Sequence, residues 1–76
     1  MMPRRIAAKQ VILPDGTTYT NHVVELFGSR LVNHYPLEGE IEMTEWLGGT
    51  IVFKEQKPYH ITTHADGTQH IQPLSQ

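Results

Sequence analysis

Residues 6–27, IAAKQVILPDGTTYTNHVVELF, hold two runs of β-branched and aromatic residues on either side of Pro14-Asp15-Gly16. Val, Ile, Thr, Tyr and Phe favour strands, while Pro-Asp-Gly supplies a fixed φ, a side-chain acceptor for local backbone and a residue free to turn left-handed. The stretch therefore predicts a hairpin, with Ile6 to Leu13 as one strand and Thr17 to Phe27 as its partner.

The same punctuation continues outward. Gly28-Ser29 predicts the next turn, and Leu31 to Leu37 a third strand that Pro36 ends or places on an edge. Gly48-Gly49 precedes Thr50 to Lys54, where Ile51 and Phe53 point one way and Val52 the other. Tyr59 to Pro73 predicts a final hairpin around Asp66-Gly67. Between these, EGEIEMTEWLG (38–48) reads as an acidic loop in which Thr44 caps at most one helical turn. No apolar 3.6-residue period is sustained for three turns, so helix is a minor component.

The expected fold is all-β: a small antiparallel sandwich or partly open barrel of about six strands, forming a single domain over 1–76. Thr50 to Phe53 carries no charge and is expected to leave an edge exposed, which a second copy would cover as a homodimer.

Composition narrows function by exclusion. Six basic against eight acidic residues give a net charge of −2 with no basic stripe, a poor basis for binding nucleic acid. There is no cysteine, hence no thiolate nucleophile or thiolate metal site, which fits a reducing cytoplasm. The start, MMPRR, is not followed by the apolar run of a signal peptide, and nothing approaches a membrane span. No nucleophile elbow or phosphate-cradling loop occurs, so enzyme activity gains no positive support.

The sharpest chemical candidate is YHITTHADGTQH (59–70), with histidines at 60, 64 and 70. LPDGTTY and HADGTQH share one turn pattern, suited to a three-residue loop closed by a bulge. That loop pairs His64 with Thr68, Thr62 with His70 and Ile61 with Ile71, placing the three histidines on one face and the isoleucines inward. A two-residue loop instead sends His70 to the opposite face. Three imidazoles with an open position would suit zinc. Strand spacing, about 7 Å for every two residues, holds His60 and His64 apart and favours solvated polar residues instead. His22 and His34 read as isolated sheet-surface residues. Asp15 and Asp66 read as turn residues, Glu38, Glu40, Glu42 and Glu45 as a solvated acidic loop, and Trp46 as the plug closing one end of the core.

Taken in order, the pieces AAKQVILPDGTTYTNHVVEL, GSRLVNHYPLEGE, GGTIVF and PYHITTHAD resemble the N-terminal β-module of the amidohydrolase (metallo-dependent hydrolase) superfamily. Pro58, Ile61, Thr63 and His64 stand where its PGFID-x-H-x-H-like motif has Pro, Ile, the variable position and the first His. Tyr59 replaces the Gly, His60 the aromatic residue and Thr62 the Asp, and Asp66 occupies the place of the second metal-binding His. These 76 residues hold no catalytic barrel. The resemblance thus implies a non-catalytic accessory module working through self-association or protein binding. The competing expectations are a small metal-binding protein using His60, His64 and His70, and a detached module that completes a separately encoded barrel.

Overall fold

A computed structural model describes residues 3–39 and 44–74. It contains seven strands, β1 (Arg4–Ile12), β2 (Thr18–Phe27), β3 (Arg30–Pro36), β4 (Thr44–Trp46), β5 (Thr50–Lys54), β6 (Lys57–Thr63) and β7 (Gln69–Pro73). They form one sheet in the order β3-β2-β1-β5-β6-β7, with β4 also paired to β1. No helix occurs among the described residues. The all-β expectation holds, with one more strand than expected.

Turn chemistry accounts for the hairpins. Gly16 adopts φ 90°, Leu13 and Thr17 close the loop with an N···O distance of 2.8 Å, and Thr17 N donates to Asp15 Oδ1 at 2.9 Å. Gly28-Ser29 forms the two-residue link between Phe27 and Arg30. A second two-residue turn joins β5 to β6 through Glu55 and Gln56, at φ 51° and 62°. Both residues are left-handed, as a type I′ turn requires, although neither is the usual Gly or Asn.

Along β1 the buried positions change parity, from Ile6 and Ala8 to Val11 and Leu13. The change falls opposite Asn21, whose φ is 49°. Both strands switch face together there, so the β1–β2 register is the same on either side. As a result Ile6, Ala8, Val11, Leu13, Val24, Leu26, Ile51, Phe53 and Leu74 all join one core cluster. In a flat sheet β1 and β7 would lie about 14 Å apart, three strand spacings. Yet Leu74 packs in the same cluster as Leu26, and Arg4 Nη1 donates to the Leu74 carbonyl at 3.2 Å. The sheet is therefore curled without being closed.

Three local expectations are corrected. Thr44 does not cap a helical turn: Thr44–Trp46 is a strand, paired in parallel with Arg5 to Ala7 and tied there by the Arg4–Glu45 ion pair. The remainder of that expected turn, at 40–43, lies outside the described residues. Thr50 to Phe53 is not an edge, because β5 sits between β1 and β6. Ile61 and Ile71 do not face inward. β6 is registered on β5 so that His60 opposes Ile51 and Pro58 opposes Phe53, which puts the histidine face on the core side and the isoleucines on the outer side.

Candidate functional site

In the C-terminal hairpin the bulged three-residue loop forms. His64 N donates to Thr68 O at 2.8 Å, Gly67 has φ 90°, and Thr62 opposes His70 as Ile61 opposes Ile71. His60 and His70 share a face, yet His60 lies half-buried with Nε2 3.1 Å from the Gly48 carbonyl, while His64 and His70 are exposed. Among the described residues no three His, Cys, Asp or Glu side chains converge as metal ligands would. Asp66 is committed to the turn, accepting from Thr68 Oγ1 at 2.6 Å and Thr68 N at 3.0 Å. Those bonds hold its carboxyl below the usual carboxylate range. Asp66 thus performs local backbone work.

Gly49 gives this end of the sheet its close packing. At φ 55°, a Cβ there would stand 2.5 Å from the Ile61 carbonyl oxygen and 3.1 Å from His60 Nε2. Only glycine fits the approach.

A different histidine cluster is the one the fold assembles. His22 and His34, expected as separate surface residues, lie on adjacent strands with His22 Nε2 and His34 Nδ1 3.0 Å apart. Tyr19 stacks on His22 at 4.3 Å between ring centroids. His22 is only 3% exposed. Burial first, then the neighbouring His34, hold its pKa below the ordinary imidazole value. One imidazole donates and the other accepts, so the bond persists with one added proton on the pair and breaks with two. No nucleophile accompanies the pair, and its evident work is to fasten the edge strand β3 to β2. The sequence signal was the Gly28-Ser29 turn, which folds His34 back toward His22.

On the outer face Glu25 accepts from Arg5 Nε at 2.9 Å and from the Tyr35 hydroxyl at 2.8 Å. Tyr35 first, together with Arg5, holds Glu25 below the usual carboxylate range, while burial and the Glu25 contact raise the Tyr35 phenol. A carboxylate fixed in its ionised form by two donors is ill-suited to general-base work. Of the acidic loop, Glu45 pairs with Arg4 and Glu38 is exposed; Glu40 and Glu42 lie outside the described residues.

The remaining unusual feature is exposed apolar surface. Trp46 is 57% exposed and so does not plug the core, and Ile71 is 53% exposed. All five residues of β7 are exposed, and none is Asp, Glu, Lys or Arg. Among the described residues no strand pairs with its outer side. The edge strand at the far end of the order, β3, carries Arg30 and a bulge in which Val32 is the extra residue opposite Glu25 and Leu26. Charge and bulging are common protections against edge pairing.

Among the described residues no helix is long and apolar enough to cross a membrane. No family model matches the chain, and no match is found among curated proteins or solved structures, so the resemblance to amidohydrolases rests on the quoted motifs alone.

Proposed function

We propose that this chain is a non-catalytic cytoplasmic β-module that acts by binding protein, offering β7 as a strand to be extended by another chain. The observation that carries the reading is the state of β7: an edge strand exposed at every position, without Asp, Glu, Lys or Arg, and bearing a large apolar side chain. Strand addition takes its affinity from main-chain hydrogen bonds and its selectivity from alternate side chains. Relationship to the amidohydrolase accessory module fits this reading, since such a module contributes packing rather than chemistry. The zinc alternative at His60, His64 and His70 finds no converging geometry to favour it.

The test is a recovery experiment from soluble extract, with a tagged bait and an untagged copy co-expressed. The reading expects a chain, either the untagged copy or another protein, to be retained by wild type and lost with Ile71→Lys. Recovery of nothing, or recovery unaffected by Ile71→Lys, overturns it.

A further inference from the structure

Resting on that reading, we infer that the partner of β7 is β7 of a second copy, paired antiparallel about a two-fold axis through Ile71. The backbone determines which groups are available. His64 N bonds Thr68 O, and Leu74 N bonds Pro58 O. In an antiparallel ladder hydrogen-bonded pairs alternate, so Thr62–His70 and His60–Gln72 are also of this kind. His70 and Gln72 therefore turn their backbone groups toward β6. Gln69, Ile71 and Pro73 turn theirs toward the open edge.

Pro73 has no N–H, so the edge offers two donors, from Gln69 and Ile71. Centred on Ile71, a two-fold pairing uses both. The two Ile71 residues exchange both of their bonds, and each Gln69 N–H reaches the Pro73 carbonyl opposite, where a missing donor costs least. Centring on His70 instead makes as many bonds but opposes two imidazoles and sets Ile71 against Gln69. The Ile71 axis also continues the outer-face row, in which Thr50, Ile61 and Ile71 are directly opposed in turn, across the junction to the same side chains of the second copy. Gln69 to Pro73 holds no Asp, Glu, Lys or Arg, and the Ile71 axis opposes His70 to Gln72, so self-pairing sets no like residues with a charge directly against each other.

The absence of native cysteine makes the register testable. Sedimentation of the untagged chain at high micromolar concentration should show a dimer, and Ile71→Lys should weaken it about tenfold or more by opposing two ammonium groups at the axis. Unchanged thermal melting of that variant at low concentration confirms that its fold is intact. In the hydrogen-bonded two-fold pair the Cα atoms lie about 5.5 Å apart, within disulfide reach. Ile71→Cys should therefore oxidise to a covalent dimer, whereas Gln69→Cys, facing Pro73, should not. A monomer at all concentrations overturns this inference yet leaves strand addition to a different chain standing. A dimer indifferent to Ile71→Lys overturns both, and equal cross-linking at Gln69→Cys and Ile71→Cys rejects the register.

Discussion

The two Asp-Gly hairpins share a turn and differ in almost everything built on it. Gly16 and Gly67 both adopt φ 90°, and Asp15 and Asp66 each accept from the backbone N–H two residues on, at 2.9 and 3.0 Å. Yet the β1–β2 hairpin supplies most of the core, whereas β7 of the second hairpin is exposed throughout. Local chemistry specifies the loop and its register. Burial is decided by the strand's place in the sheet: β1 is central and β7 is last.

The widest separation should come from the same truncation made in each hairpin. Ile6→Ala removes a fully buried side chain and should cost about 2–5 kcal/mol in urea unfolding. Ile71→Ala, measured in the dilute monomer, should stay within about 0.5 kcal/mol. Next in size, Gly49→Ala forces a Cβ into the Ile61 carbonyl at positive φ and should cost about 1–3 kcal/mol.

The turn glycines sharpen the comparison further. Gly16→Ala and Gly67→Ala meet no neighbouring atom, so each pays mainly for its left-handed backbone, about 1–2 kcal/mol. For Gly16 this should appear as lower global stability. For Gly67 it should appear mainly as faster hydrogen exchange in β7, because a terminal strand opens without the rest.

The smallest expected effect is a pH dependence from His22 on β2. His22 has a folded pKa below its ordinary value of 6.5, so the unfolded chain takes up this proton first. Its contribution to stability is complete above pH 6.5 and is lost as pH falls through the lowered folded value. Thermal melting across this range should show that slope, and His22→Gln should flatten it.

Much of the fold was legible because turns are local. The Pro14-Asp15-Gly16 and Asp66-Gly67 loops, the Gly28-Ser29 turn and the pairing of Ile61 with Ile71 follow from a few adjacent residues. Other features depend on long-range pairing. Thr44–Trp46 is acidic and short, and becomes a strand by lying parallel to β1. Glu55-Gln56 lacks the Gly that marks a left-handed turn. Which face of β6 is inward depends on its register with Ile51 and Phe53, so the turn could align the hairpin histidines without indicating the side they occupy. The Gly28-Ser29 turn signals that His34 folds back toward His22, but their contact also depends on the register shift between Glu25 and Leu26 in the β2–β3 ladder, which no local residue marks.

The central claim is that β7 is an open strand extended by β7 of a second copy, and amide exchange at Ile71 tests it most directly. In the dilute chain the Ile71 N–H points to solvent and should exchange quickly, while the amides of Val11 and Val24 stay protected. Raising the protein to high micromolar concentration should protect Ile71 as the second β7 docks. An Ile71 amide whose exchange rate is the same at both concentrations would contradict the account.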